Sequence, residues 1–205
     1  MRATCCLLLA VVAELAPCLA QELKPIALPK PQTEGGKPLL QALKERKSTR
    51  EFSAEKLSPQ VLSNLLWAAF GVNRADGRRT APSAMNAQEI DIYVALPEGV
   101  YLFEAGPHRL TPVVSGDLRE KTGTQNYVAE AALNLIYVAH SKGKLNPDAS
   151  ADTGFIGQNV YLFCASEGLG TVFRGSVDRD GLAKALNLRP DQHITYAQSV
   201  GYPKK

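Results

Sequence analysis

Arg46, Ser48 and Arg50 put two guanidiniums four residues apart with a hydroxyl between them. A guanidinium presents a planar fork of donors that matches phosphate oxygens in pairs, and serine adds a short donor at similar reach. The chemistry on offer is oxyanion binding, although a run of Lys and Arg is also the ordinary make-up of a solvated surface. Pro82-Ser83-Ala84-Met85-Asn86-Ala87-Gln88 sets a hydroxyl and two amides just before a strand pattern. Groups that donate and accept suit a ribityl chain or a pyrimidine ring. They equally suit a turn in which Ser and Asn bond their own backbone. Gly168-Leu169-Gly170-Thr171-Val172-Phe173-Arg174-Gly175 ends a helix, runs through a strand and leaves Gly175 open to close backbone approach. Paired glycines also mark simple helix stops and bulges. Gly201-Tyr202-Pro203-Lys204-Lys205 closes the chain on two ammoniums, a position where lysine is often only solubilising charge.

The elements that must position these groups are visible in the apolar spacing. Leu39, Leu40, Ala42 and Leu43 form a stripe that predicts a packed helix over about 38–47, with the basic run emerging at its end. A second helix opens at Ser58 with Pro59 in its first turn and stops at Gly71, and Trp67 is expected in the core. Alternation over 90–96 predicts a half-buried strand, and 100–103 with 109–114 a hairpin around Ala105-Gly106-Pro107. A polar helix is expected over 118–130, and an apolar run over 132–139 reads as a central strand buried on both faces. A helix over 152–167 with Asp152 as N-cap, a short strand over 171–174, a helix from Asp178 to Leu186 and a last strand over 194–200 complete the pattern. The order lacks an even βαβ rhythm. It predicts an α+β fold with a mixed, largely antiparallel central sheet flanked by helices.

Residues 1–20 carry Arg2, an apolar stretch over 5–13 and Ala16-Pro17-Cys18-Leu19-Ala20, the layout of a secretory signal peptide cut before Gln21. The apolar run is shorter than the about 20 residues that span a bilayer. A lipoprotein site at Leu15-Ala16-Pro17-Cys18 is disfavoured by its proline, and a retained anchor by Glu14. The expectation is an exported chain, periplasmic or secreted, with no stable membrane span after cleavage. Residues 21–37 read as an extended arm, mobile by composition, and 38–205 as one domain.

Export would leave Cys164 as the only cysteine, placed on the apolar face of its helix as an inert core thiol. His108, His140 and His193 share no ligand spacing, so no metal site is expected. No nucleophile–base constellation is visible. A net charge of +3 with dispersed basic residues gives no nucleic-acid footprint.

Taken in order, these segments resemble one family. They are the R-x-S-x-R at Arg46, Ser48 and Arg50, the P-S-x-x-N-x-Q at 82–88, Gln158-Asn159-Val160 running into Gly168-Leu169-Gly170, and Gly201-Tyr202-Pro203. From about Leu39 to its end the chain resembles the nitroreductase-like flavin oxidoreductases, whose small members include the SagB-type dehydrogenases. The resemblance implies an intertwined homodimer with two FMN molecules in clefts built by both subunits. It implies that Arg46 and Ser48 hold the phosphate and ribityl chain and that Arg50 reaches the pyrimidine edge. Lys47 would contribute through its backbone. Pro82, Ser83, Ala84 and Asn86 would come from the partner subunit, with Gln88 a looser match. The Arg174 and Gly175 amides would lie near flavin N5 and O4, and Lys204 or Lys205 would complete the phosphate site.

No catalytic side chain is implied, because the flavin carries the chemistry and the protein sets its orientation and charge. The implied function is ping-pong hydride transfer to a small-molecule acceptor, a nitroaromatic, quinone or similar compound, with NAD(P)H as a candidate donor. A dehydrogenase of a peptide-derived ring and a flavin binder without turnover are the alternatives. Two departures stand out. Arg174 occupies a position where relatives often carry an acid, which bears on cofactor preference and substrate charge. The stretch 114–152 is short, which implies a more open site.

Overall fold

The computed structural model describes residues 22–143 and 145–205, so the expected signal sequence lies outside the described residues. In chain order the elements are β1 (Ile26–Ala27), α1 (Leu39–Glu45), α2 (Pro59–Phe70), β2 (Ile90–Leu96), β3 (Gly99–Glu104), β4 (Arg109–Ser115), β5 (Leu133–His140), α3 (Pro147–Glu167), β6 (Gly170–Arg174), α4 (Arg179–Ala185) and β7 (Gln192–Gly201). The strands form one sheet in the order β1-β4-β3-β2-β5-β7-β6. Every neighbouring pair is antiparallel, so the expected antiparallel predominance extends to the whole sheet.

β5 sits between β2 and β7, and alternation sends its side chains into two cores. Leu133, Leu135 and Tyr137 meet Leu65, Leu66 and Phe70 of α2 and Ile156 and Val160 of α3. Ile136 and Val138 face the other way, toward Leu182 and Leu186 of the α4 region. Each fully buried side chain of this size contributes about 1.5–3 kcal/mol, which is why a continuous apolar run makes a central strand. Ser58 caps α2 by accepting from the Val61 amide, as its spacing with Pro59 predicts.

Four elements depart from the sequence expectation. Residues 118–130 form two short 3-10 turns, Arg119–Thr122 and Asn126–Val128, instead of a helix. Gly123 between them is extended, and a Cβ there would collide with the Arg174 guanidinium. That guanidinium takes the Thr122 carbonyl at 2.5 Å, an acceptor a continuing helix would need. The long helix α3 starts at Pro147, where Asn146 caps by accepting from the Asp148 amide. Asp152 is therefore a buried residue inside the helix and not its cap.

In α1 only Ala42 is buried, and Leu39, Leu40 and Leu43 are 63%, 79% and 45% exposed, so its apolar stripe faces outward. Trp67 is half-exposed, with its indole nitrogen donating to the Val72 carbonyl at 3.1 Å.

The arm runs along its own chain. Leu23, Ile26 and Leu28 pack on the larger core, β1 pairs with β4, and Ser63 donates to the Pro29 carbonyl at 2.5 Å. No helix of the described residues is long and apolar enough to cross a membrane.

Candidate flavin-binding site

β6 is an edge strand, opposite β1, and its open side is closed by side chains and loop instead of an eighth strand. The Thr49 amide donates to the Thr171 carbonyl at 2.9 Å, and the Phe173 amide donates to the Tyr161 hydroxyl at 3.0 Å. On its other flank the basic run meets the C-terminal segment. Phe52 and Pro203 form a β-bridge, the Ser53 amide donates to Tyr202, and the Lys204 amide donates to the Glu51 carbonyl. The run from Arg46 to Ser53 is thus clamped between β6 and the tail. The clamp brings the 46–53 run against the C-terminal segment 202–204, stretches about 150 positions apart in the chain.

Tyr161 of α3 reaches this run. Its hydroxyl lies 2.8 Å from Ser48 Oγ, and the Arg46 guanidinium sits over its ring at 5.1 Å from the centroid. Sequence reasoning passed over it because Tyr161 merely follows the apolar Val160 at the margin of the helical stripe. A cleft of about 400 Å³ beside the run is lined by Lys47, Thr49, Tyr161, Leu169, Thr171 and Pro203. Lys204 lines a second hollow of about 600 Å³ together with Phe52, Lys56 and Arg119.

The cluster is not neutralised. Among the described residues none of Arg46, Lys47, Arg50, Lys204 and Lys205 has a carboxylate within 4.0 Å. The nearby Glu45 is taken by Lys37 at 2.6 Å, and that hydrogen bond holds its carboxyl below the usual range. Unpaired cations beside a hydroxyl and a strand edge fit a phosphate-bearing ligand.

Arg174 does not add to this charge. Its side chain turns inward, where it donates to the Thr122 carbonyl and hydroxyl, to Asn134 Oδ1 at 2.8 Å and to Ser199 Oγ at 3.1 Å. Burial lowers its pKa to about 10. The departure from an acid at this position therefore leaves the site's surface charge unchanged, and only the Arg174 backbone reaches the edge. Thr171 and Phe173 use their outward groups, so Gly175, two residues on, presents its N–H in the same phase. That N–H has no partner among the described residues, and Gly175 is exposed.

The 82–88 segment is elsewhere. The Ala84 amide donates to Asp152 Oδ2 at 2.9 Å, near the start of α3. Asp152 and Tyr161 are nine residues apart on one helix, roughly 13 Å of rise, so one chain does not bring the two halves together. Ser83 accepts from the Gln88 amide, and the Gln88 carboxamide is occupied by Arg79, Asn86 and Gly77. Pro82 and Asn86 are exposed, and Met85 is 99% exposed.

Behind this loop both carboxyl oxygens of Glu89 are buried without a hydrogen-bond partner. Burial, with Asp152 behind it, pushes that carboxyl up. The histidines lie apart: His108 bonds Ser63, His140 bonds Asp91, and His193 bonds the Ser141 carbonyl. No cluster of three metal-ligating side chains occurs among the described residues. Cys164 is buried, and burial pushes its thiol far above the ordinary range.

Fold and site together define an antiparallel α+β protein with an unneutralised basic loop hydrogen-bonded to a strand edge and a free Gly175 amide just past that strand. The chain belongs to the Nitroreductase family, whose sequence profile matches residues 43–202. Membership makes it an oxidoreductase of small molecules. It is 28% identical over 162 residues to MJ1384 of Methanocaldococcus jannaschii, which carries a provisional nitroreductase name, covering 71% of this chain and 82% of that protein. A crystal structure of a provisionally named nitroreductase from Ralstonia eutropha JMP134 superposes with a TM-score of 0.83 at 41% identity, covering 88% of this chain and 90% of that one. A provisionally named nitroreductase from Desulfovibrio desulfuricans, solved in complex with FMN, shares the fold at 22% identity and a TM-score of 0.62, covering 83% of this chain and 89% of that one.

Proposed function

We propose that this chain is an exported, homodimeric FMN-dependent oxidoreductase that reduces a nitroaromatic, quinone or similar organic acceptor by a ping-pong cycle. The observation that carries the reading is the run of unpaired cations hydrogen-bonded onto the edge of β6, with the free Gly175 amide further along that edge. Arg46, Ser48 and a terminal lysine would hold the phosphate and ribityl chain, and Arg50 the pyrimidine edge. FMN, when bound, supplies hydride acceptance and donation at N5. The chain's own residues would orient it: Arg50 near the N1–C2=O edge would favour negative charge there, and the Gly175 N–H would be a donor for N5.

A second copy supports the rest. The Pro82, Ser83, Ala84 and Asn86 group is too far from the run within one chain, and the outward leucines of α1 lack a cover.

The test is the visible spectrum of the purified protein before and after FMN, then after anaerobic NADH or NADPH. Bound yellow flavin that bleaches with either donor and recovers with a quinone fits the proposal. Flavin that binds but never turns over points to a binding protein. A colourless protein in excess FMN removes the reading. Arg46→Ala and Arg50→Ala should each weaken FMN binding about tenfold, the loss of one charge-assisted pair.

A further inference from the structure

We infer that Tyr161 is a positioning residue that fixes the Ser48 hydroxyl as a hydrogen-bond donor toward the bound ligand and ties it to the strand carrying Arg174 and Gly175. Hydrogen-bond direction carries the argument. The Phe173 amide can only donate, and its partner is the Tyr161 oxygen at 3.0 Å. A phenol holds one proton, and the one other polar partner of this oxygen is Ser48 Oγ at 2.8 Å. If Ser48 donated to Tyr161, the phenol oxygen would receive two donors and its own proton would have no acceptor among the described residues. With Tyr161 donating, the half-buried phenol is fully paired, as such groups generally are, and the one proton left over belongs to Ser48, which is exposed.

The direction therefore runs from the Phe173 N–H to the Tyr161 O–H and on to the Ser48 O–H. The last proton has no acceptor among the described residues, and Ser48 is exposed. It is left to point at an oxygen supplied from outside, and each link of such a chain strengthens the next. The face of the same ring holds the Arg46 guanidinium at 5.1 Å. One side chain thus sets both anion-binding groups of the run and pins Phe173, two residues before Gly175. The ligand is taken here as FMN, so the inference rests on the reading above for its ligand and on the apoprotein for its geometry.

The experiment compares Tyr161→Phe, Ser48→Ala and the double variant in the full chain. Phe keeps the ring under Arg46 and removes only the hydroxyl. FMN titration followed by flavin fluorescence should show each single variant weaker by about tenfold, and the double variant no weaker than Ser48→Ala alone. Losses that multiply to about a hundredfold, or a Tyr161→Phe chain that binds as the parent does, overturn the role of Tyr161 while leaving the FMN reading intact. Amide exchange on the flavin-free protein tests the geometry separately. The Phe173 amide should exchange faster in Tyr161→Phe while the Gly201-paired end of β6 is unchanged. Unchanged exchange at Phe173 overturns the inference even if no flavin binds, whereas faster exchange in Tyr161→Phe, with a parent that refuses FMN, upholds the junction and removes only the FMN reading.

Discussion

Arg174 is 6% exposed, and no carboxylate among the described residues pairs with its guanidinium. Its charge is balanced by dipoles: the Thr122 carbonyl and hydroxyl, the Asn134 amide oxygen and the Ser199 hydroxyl. Removing it strands several buried acceptors, each costing about 1–3 kcal/mol. Arg174→Met should therefore lower stability by about 3 kcal/mol and Tm by roughly 6–12 °C in thermal unfolding. The folded fraction should keep the parent's FMN affinity, because only the backbone of Arg174 faces the site. From sequence, Arg174 looked like a charge at the cofactor. A strand residue points to one face or the other, and here the fold chose the inner one.

At the scale of elements, one segment is an edge strand closed by side chain and loop, and another carries unusual backbone. The edge of β6 is closed by Thr49 and Tyr161, which removes the pairing hazard of a free strand edge and leaves the amide end open. In the 82–88 loop Met85, Asn86 and Gln88 all have φ near +50°, a left-handed conformation that costs non-glycine residues free energy. The loop is held against α3 by Asp152, with Glu89 buried behind it.

Glu89's raised pKa sets a sign. The folded chain binds its proton more tightly than the unfolded chain, so stability from this group is present at acid pH. It is lost as pH rises from the ordinary glutamate value through the raised one. Glu89→Gln should flatten that decline and raise Tm at pH 8 by roughly 2–4 °C, read by thermal melts between pH 4 and 8. A Tm at pH 8 unchanged or lower in the variant would contradict it.

For the whole molecule, α3 separates the basic run at one end from the 82–88 loop at the other, the two groups that the proposed dimer would join. The outward leucines of α1 add apolar surface that a second copy would cover. Leu40→Glu should shift the protein toward monomer in sedimentation velocity and loosen FMN by about tenfold or more, since each site would lose its partner's loop. A variant that remains dimeric with parental affinity would place the interface elsewhere.

The apolar periodicities alone determined most strands, the caps at Ser58 and Asp178, and the α+β class, because burial and capping act over a few residues. The basic run, the glycine-flanked strand and the terminal lysines were also legible, since residue type and order record which groups can meet an anion. Tertiary structure alone decided that 118–130 breaks into turns around Arg174, that the α1 leucines face outward, and that Tyr161 joins the run to β6. Each of these depends on contacts between residues tens of positions apart, which local spacing does not encode.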